Sequence, residues 1–286
     1  MHLPIKEKGD VERNAVWPNR RYKILHAPFS STKRIVETLQ LNCSRVTVWR
    51  RLKDAGIHCK IPARKINLTA QHCADRVTFA EANINRNWNN AIFTDEKIFC
   101  SDTPSQKPLY RMNNSRFAER HVLRCNRAGR ITLGMWGWMS RAGPGQLTEI
   151  SGRMDAEEYI NILETVMVPS VQAVYGNEPL IYIQDNSAVH TSRLVRNWFG
   201  RHPQFTLLRW PAKSPDLNPI ENLWGYIVRE WDDEVHDGIR HRNALFEHAT
   251  NLWERYRYRP SCQHLVDSMQ RRLQETIANN GLWTKY

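Results

Sequence analysis

Residues 180–230 constrain the fold of this chain more than any other stretch, because they combine a buried strand with acidic and proline-rich segments. The apolar run 180–183 is typical of a buried β-strand, and Asp185 falls where that strand should end. A second apolar run covers residues 205–210, and the proline-rich sequence after it predicts a turn followed by a new helix. The stretch therefore predicts a sheet with an aspartate at one edge, followed by a helix.

A second acidic residue lies at the start of that predicted helix. Asn218 suits the N-cap and Pro219 the first helical position, so Glu221 falls in the first turn. Apolar residues at helical spacing would face the core, and they are Leu223, Trp224, Ile227, Val228 and Trp231. Two structural interpretations stay open at this point: Asn-x-x-Glu is also a capping box, and an aspartate after a strand is often only a turn residue.

A third acidic residue lies earlier in the chain, within the predicted strand AIFTDEKIF. Successive side chains of a strand point to opposite faces, so Asp95 is either on the solvent face or a ligand at the sheet surface. Three carboxylates from three separate segments are typical of a two-metal site for phosphoryl transfer, in which hard cations take oxygen ligands. Asp95, Asp185 and Glu221 are therefore candidate metal ligands.

The strings IFTDEKIF, IYIQDNSAVHTS and WPAKSPDLNPIENLW resemble the three catalytic blocks of the mariner superfamily of DDE transposases, in its glutamate-bearing branch. The resemblance extends from about Ser31 to Gly281. It implies an α/β fold, with a ribonuclease-H-like mixed sheet flanked by helices and preceded by a small helical helix-turn-helix segment. The spacing departs from the family by one residue, since 35 residues separate Asp185 from Glu221. We expect the extra residue in the loop 200–204.

The resemblance also implies an activity. Asp95, Asp185 and Glu221 match the catalytic, metal-binding carboxylates, and the expected cofactor is two Mg²⁺ ions, with Mn²⁺ as an alternative. The implied reaction is hydrolysis of a DNA phosphodiester at an element end, followed by attack of the freed 3′-hydroxyl on target DNA. The implied partners are double-stranded DNA, as terminal inverted repeats and as target, and the family allows a homodimer. The implied location is the nucleus.

Two other functions remain open at this stage. One is a domesticated host protein, derived from a transposase, that binds DNA without transposition activity. The other is a metal-dependent nuclease unrelated to transposition, which three acidic residues alone would permit.

Charge is concentrated at the amino-terminal end of the chain. The net charge is +12 in total, and residues 1–66 contribute +10 of it. A basic segment ahead of a nearly neutral body is typical of an arm that contacts nucleic acid phosphates. The expected domains are a poorly ordered basic segment at 1–30 that could hold a truncated first helix-turn-helix, a helix-turn-helix at 31–57, a basic linker at 58–68, and the catalytic domain at 69–286.

The helix-turn-helix is predicted from two short helical patterns around a tight turn. The first begins near Ser31; the second has Ser44 as N-cap, carries Val46, Val48, Trp49 and Leu52, and ends at Gly56. Its TVWRRLKDAGI sequence resembles the second half of the family's paired-type DNA-binding region. The candidate DNA-binding residues on this helix and in the linker are Arg45, Thr47, Arg50, Arg51, Lys53, Arg64 and Lys65.

Two further expectations concern DNA binding. Family members usually carry two helix-turn-helix units, whereas residues 1–30 precede the one recognisable unit here, so binding is expected to be salt-sensitive and weakly selective. Five arginines lie between Lys107 and Arg130 and form a second candidate DNA face, although an arginine-rich solvated hairpin explains them as well.

The remaining pattern predicts the elements around the site. We expect helices over 69–87, 155–174, 243–256 and 261–280, and strands over 131–140 and 146–150 with a turn at 143–145. Asp155 and Glu158 predict a capping box, and Pro169 predicts a kink. His190 is expected to cap the next helix, with contact to the site as the alternative.

Composition limits the class of protein. The six cysteines are scattered and contain no C-x-x-C pair, so neither a zinc ribbon nor a disulfide framework is indicated. The chain has neither an apolar run of the roughly 20 residues that a membrane helix needs nor an apolar leader, which predicts a soluble intracellular protein without membrane partners.

Overall fold

A computed structural model describes residues 28–59, 65–101, 131–234 and 241–286. The chain divides between residues 64 and 65 into two compact units.

The described part of the first unit, residues 28–59, contains two helices, α1 (Thr32–Thr38) and α2 (Arg45–Asp54). The side chains of Ser31 and Ser44 cap them, and Gly56 has a φ of +74° just after α2, so the expected helix signals are confirmed. The core of this unit is small, and from α2 only Val48 is fully buried in it. Val46 and Trp49, two other apolar residues of this helix, are about half exposed.

The second unit contains five strands, eight α-helices and three shorter helical turns within its described residues. The strands are β1 (Ala91–Cys100), β2 (Thr132–Ser140), β3 (Gly143–Ile150), β4 (Leu180–Ile183) and β5 (Phe205–Leu207). The helices are α3 (Ala70–Asn83), α4 (Ala156–Ile162), α5 (Val168–Tyr175), α6 (Arg193–Arg201), α7 (Pro219–Glu234), α8 (Arg242–Arg255), α9 (Ser261–Asp267) and α10 (Met269–Ala278). The shorter turns are a π-helical turn at Leu163–Met167 and 3₁₀ turns at Pro215–Leu217 and Tyr256–Tyr258.

The five strands form one mixed sheet in the order β3-β2-β1-β4-β5. β3, β2 and β1 are antiparallel neighbours, whereas β4 lies parallel to β1 and β5 parallel to β4. Adjacent residues of β1 pack on opposite faces: Ile92 belongs to a core with α4–α6, and Phe93 to a core with α7–α10. This mixed sheet, covered by helices on both faces, confirms the expected ribonuclease-H-like fold.

Several predicted helices have different limits in the structure. The helix expected over 69–87 ends at Asn83, and the one expected over 261–280 is divided at Ser268 into α9 and α10. The helix expected over 155–174 contains the π-helical turn, which ends two residues before Pro169. The side chain of Asp155 does cap it, but the Glu158 carboxylate accepts from Ser151 instead, so the predicted capping box is wrong.

The turn between β2 and β3 also differs from the prediction. It lies at residues 141–142, and Gly143 to Gly145 already belong to β3. A Cβ atom on Gly145 would stand 1.9 Å from the Trp138 ring, so the glycine is needed because an indole packs directly against the strand backbone. Within the described ranges, no helix is both long and apolar enough to cross a membrane.

Gly281 closes the second unit by bringing the end of α10 onto α3. It has a φ of +79°, and an added Cβ would lie 2.1 Å from the carbonyl oxygen of Cys73. Gly281→Ala should therefore lower the free energy of unfolding by about 2–4 kcal/mol, from backbone strain and overpacking together. Urea unfolding measures the loss, and Gly152→Ala, where an added Cβ meets nothing within 4 Å, is the matched control. Equal stability of the two variants would contradict the prediction.

Candidate active site

Asp95 lies on β1, and Asp185 lies just past the end of β4, the parallel strand next to it. The last pair in the register between β1 and β4 is Phe93 and Ile183, and each aspartate follows two residues later. Neighbouring strands are about 4.8 Å apart, so this register places both carboxylates at the same end of the sheet. Asp95 is half-buried and Asp185 is exposed.

Hydrogen bonds hold three segments together at this end of the sheet. The Thr94 hydroxyl donates to the Ile183 carbonyl oxygen at 2.8 Å, which ties β1 to the end of β4. The Asn218 amide donates to the Thr94 carbonyl oxygen at 3.2 Å, which ties the start of α7 to β1. The Asn186 amide donates to the Trp210 carbonyl oxygen at 2.7 Å. The segments that carry Asp95, Asp185 and Glu221 are thus linked to one another.

Glu221 lies in the first turn of α7, as the sequence predicted. The capping interpretation does not hold, because the Asn218 side chain is engaged with Thr94 and the Asn218 N–H donates to the Pro215 carbonyl oxygen. The Glu221 carboxylate is therefore not engaged by its own helix start. The oxygen of the same Asn218 amide, Oδ1, is buried and has no hydrogen-bond partner.

The Asp95 carboxylate is the most confined of the three. The Trp224 indole N–H donates to its Oδ2 at 3.1 Å. Burial, with the negative charges of Glu221, Glu96 and Asp185, raises the pKa of Asp95 well above its ordinary value. Gly137 faces Asp95 in the register with β2, and an added Cβ there would stand 3.3 Å from the Trp224 ring. The missing side chain leaves room for the indole that contacts Asp95.

Asp185 has a different electrostatic environment. Its Oδ1 accepts from the Ser187 N–H at 2.9 Å and from His190 Nδ1 at 2.7 Å. Burial acts to raise the pKa of Asp185, but these hydrogen bonds and the charge of His190 outweigh it and lower the pKa. Burial acts to lower the pKa of His190, whereas Asp185 and Glu96 together raise it to about 9.

Glu221 completes the set of acidic groups. Burial raises its pKa, the charges of Lys97 and Lys65 oppose the shift, and the charge of Asp185 adds to it. The three carboxylates thus lie close enough to influence one another electrostatically. Mutual repulsion of this kind is relieved by a bound cation, and carboxylate oxygens are the ligands that hard divalent ions prefer. The donor set therefore fits Mg²⁺, although among the described side chains no three are already arranged around a common ion position.

The sequence interpretation of His190 is corrected by the structure. Ser192, not His190, caps α6 by accepting from the Val195 N–H. His190 is 2% exposed and contacts Asp185 instead, which is the alternative that the sequence left open. No local pattern identifies this contact, because the imidazole reaches Asp185 from within a loop that has no helical or strand period.

The sequence did not predict a second buried group, the ion pair of Arg76 and Asp216. Arg76 on α3 is 0% exposed, and its guanidinium donates to both carboxylate oxygens of Asp216, at 2.8 and 2.7 Å. It also donates to Ser214 and to the Gly281 carbonyl oxygen, while the Thr284 N–H donates to Asp216. This network fixes the segment directly before α7, and therefore the base of the helix that carries Glu221.

The candidate DNA-binding residues of α2 share one property, which is exposure to solvent; they are Arg45, Thr47, Arg50, Arg51 and Lys53. Lys65 belongs to the second unit, where its ammonium donates to the Tyr286 carbonyl oxygen at 3.3 Å and lies over the Trp283 ring. Arg64, the basic segment 1–27 and the arginine-rich segment 107–130 lie outside the described residues.

Two family models match the sequence. The model described as DDE superfamily endonuclease matches residues 90–240, which include Asp95, Asp185 and Glu221. A transposase helix-turn-helix model matches residues 22–85, which include α1 and α2. The sheet with its acidic residues thus defines the class of protein as a DDE endonuclease.

Curated relatives and solved structures narrow the class. The Tcb2 transposase of Caenorhabditis briggsae is 34% identical over 84% of this chain and 87% of its own length. The Tc1 transposase of Caenorhabditis elegans is 36% identical over 85% of this chain and 88% of its own length. The Mos1 mariner paired end complex with Mn has a TM-score of 0.80 at 18% identity, covering 100% of this chain and 82% of that chain. The chain belongs to the Tc1/mariner family of DDE transposases.

Proposed function

We propose that this transposase cuts double-stranded DNA at the ends of its element and joins the freed 3′ ends to target DNA, with Asp95, Asp185 and Glu221 as its catalytic carboxylates. The observation that carries the proposal is the linkage of β1, β4 and α7 by hydrogen bonds at one end of the sheet. Glu221 as the third acid supports the glutamate-bearing subtype. Nothing in the described residues favours a domesticated protein that has lost the activity.

The proposed cofactor is a pair of Mg²⁺ ions, with Mn²⁺ as a substitute. When bound, such ions activate water and stabilise the charge on the attacking and leaving oxygens. Solved structures of Mos1 include paired end complexes with Mg and with Mn, which supports the proposal. Asp185 would supply an ionised, exposed ligand, and Asp95 a confined one that the Trp224 indole holds in place. Glu221 would complete the second position from α7.

The direct test is strand cleavage by the purified chain. A duplex that carries the element's terminal repeat, labelled on one strand, is incubated with Mg²⁺, Mn²⁺ or EDTA, with and without a target plasmid. We expect cuts at the repeat end with either ion, joined products with target, and neither in EDTA. Cleavage of scrambled duplexes at the same rate would indicate a general nuclease instead.

The proposed partners are two kinds of DNA, terminal inverted repeats and target, and a second copy of the chain. Structural neighbours include the Mos1 paired-end complex with left transposon end, which supports binding of element ends. Light scattering of the chain with and without end duplex tests the dimer, because a pair of ends held by one monomer would give a different mass. The proposed location is the nucleus, which a fluorescent fusion would test.

Arg50 lies at the centre of the solvent face of α2, opposite the buried Val48. If α2 enters the major groove, Arg50→Ala should weaken binding to the end duplex about 10-fold, since one good base contact contributes roughly 1–3 kcal/mol. Fluorescence anisotropy at two salt concentrations, against end and scrambled duplexes, measures the loss and its selectivity. Arg141→Ala, in the second unit, is the control. An equal, small change in both variants would show that α2 does not read the ends.

A further inference from the structure

His190 links the strand that carries Asp95 to the loop that carries Asp185. On one side its Nδ1 lies 2.7 Å from Oδ1 of Asp185, and on the other its Nε2 lies 3.2 Å from Oε1 of Glu96. The second contact is within ion-pair distance but is not aligned as a hydrogen bond. Glu96 follows Asp95 directly on β1, so one imidazole spans the gap between β1 and the loop after β4.

The position of the imidazole is itself fixed by buried groups. Its ring packs against Tyr159 with centroids 4.4 Å apart, and the Tyr159 hydroxyl donates to the Gln184 amide oxygen at 2.7 Å. The Gln184 amide in turn donates to the carbonyl oxygen of His190 at 3.2 Å, and the His190 N–H donates to the Ser187 hydroxyl at 3.3 Å. Ring, carbonyl and N–H are all held, so His190 has little freedom to move away from Asp185.

The contact leaves half of the Asp185 carboxylate free. His190 and the Ser187 N–H both bind Oδ1, and the side chain of Asp185 is 61% exposed. A carboxylate fixed through one oxygen presents the other in a single direction, which reduces the conformational freedom that an ion would otherwise have to remove on binding.

We propose that His190 is a positioning residue: held by Tyr159 and Gln184 and supported by Glu96, it fixes the direction in which Asp185 presents its free oxygen to a divalent ion. The inference rests on the proposed function, because it assumes that Asp185 is a metal ligand. It goes beyond that function by assigning roles to His190 and Glu96, which no step of the proposed reaction needs.

The size and shape of His190 allow matched variants that separate hydrogen bonding from packing. His190→Phe keeps a ring against Tyr159 but removes both nitrogen atoms. His190→Asn places an amide nitrogen near the position of Nδ1, so it restores a donor to Asp185 but lacks the reach to Glu96. Glu96→Gln keeps the shape of the Glu96 side chain and removes its negative charge. A purely structural role predicts that the two His190 variants behave according to their stability alone.

The test is Mn²⁺ binding by the purified full chain without DNA, followed by the electron paramagnetic resonance signal of the free ion. Outer groups that orient a ligand typically change metal affinity 10–100-fold, so His190→Phe should raise the half-saturating Mn²⁺ concentration by about that factor. His190→Asn should stay within about 3-fold of the parent protein, less than the range expected for a lost orienting group. Glu96→Gln should have less effect in the His190→Phe background than alone, because part of its action passes through the imidazole.

The outcomes test the positioning role of His190 separately from the proposed metal site. If the parent protein binds Mn²⁺ and His190→Phe binds it equally well while both melt at similar temperatures, the positioning role is overturned. If His190→Phe melts much lower, the comparison of His190→Asn with the parent decides: a 10-fold or larger loss in His190→Asn overturns the inference. If the parent and Asp185→Asn bind Mn²⁺ equally, the proposed metal site itself is wrong.

Discussion

Asp95→Asn should abolish metal-dependent strand cleavage, lowering the rate by at least about 1,000-fold, which corresponds to roughly 4 kcal/mol of transition-state stabilisation. The substitution keeps the shape of the side chain, and the amide oxygen can still accept from Trp224. What it removes is a negative charge in a half-buried position where Glu221 and Asp185 contribute to the same field. Asp185→Asn and Glu221→Gln should have similar effects for the same reason.

Single-turnover cleavage of an end duplex in Mg²⁺ measures the loss of rate. Fluorescence anisotropy with the same duplex measures the DNA affinity, which should stay within about 3-fold of the parent protein because base and phosphate contacts, and not these acids, hold the DNA. Asp267→Asn is the matched control, because Asp267 is a carboxylate of the same unit that pairs with Arg141 at the surface. Cleavage at the parent rate by any one of the three variants would remove that residue from the site. Loss of activity in the control would instead point to a general sensitivity of the fold.

Asp216→Asn should destabilise the second unit by about 3–5 kcal/mol, the usual result when one partner of a buried ion pair is removed. Both side chains of the pair are 0% exposed, so the Arg76 guanidinium would stay buried with only neutral partners. Urea unfolding at neutral pH measures the loss. The exposed pair of Arg141 and Asp267 offers the comparison, since breaking it with Asp267→Asn should change the stability by less than about 1 kcal/mol.

The same pair predicts a dependence of stability on pH. Burial acts to raise the pKa of Asp216, but the hydrogen bonds and charge of Arg76, together with Thr284, outweigh it and hold the pKa below its ordinary value of 3.8. A lowered pKa in the folded state contributes stability that is present above pH 3.8 and is lost as the pH falls through the folded-state value. The parent protein should therefore lose this stability as the pH falls below 3.8, so the difference in the free energy of unfolding between it and Asp216→Asn should become smaller. A deficit that is constant with pH would show that Asp216 is not ionised in the folded protein.

Removal of the Asp216 carboxylate should also affect the active site. Asp216 lies in the 3₁₀ turn directly before α7, and Arg272 on α10 donates to its carbonyl oxygen. The position of Glu221 thus depends on a network that joins α3, α7 and the carboxyl-terminal residues. We expect Asp216→Asn to lower cleavage more than Gly281→Ala does at equal stability, because Asp216 itself lies in the segment that starts α7, whereas Gly281 contacts that segment only through Arg76.

Local sequence determined the positions of the elements that carry the site. Alternation and apolar runs placed strands around Asp95 and before Asp185, and the Asn-Pro pair placed the start of α7 ahead of Glu221. These signals are reliable because strand period, helix starts and proline geometry depend on a few neighbouring residues. Where a boundary depended on packing instead, as at Ser268 or in the turn before β3, the sequence prediction was wrong.

Tertiary structure alone decided how the site is supported. The indole of Trp224 reaches Asp95 from 129 positions away, and Arg76 reaches Asp216 from 140 positions away. In the sequence, Trp224 was only one member of an apolar stripe, and Arg76 was one arginine among many. The sequence favoured His190 as a helix cap, but Ser192 caps α6 instead. Such contacts depend on the direction of side chains across a packed interface, and no short-range period in the chain encodes that direction.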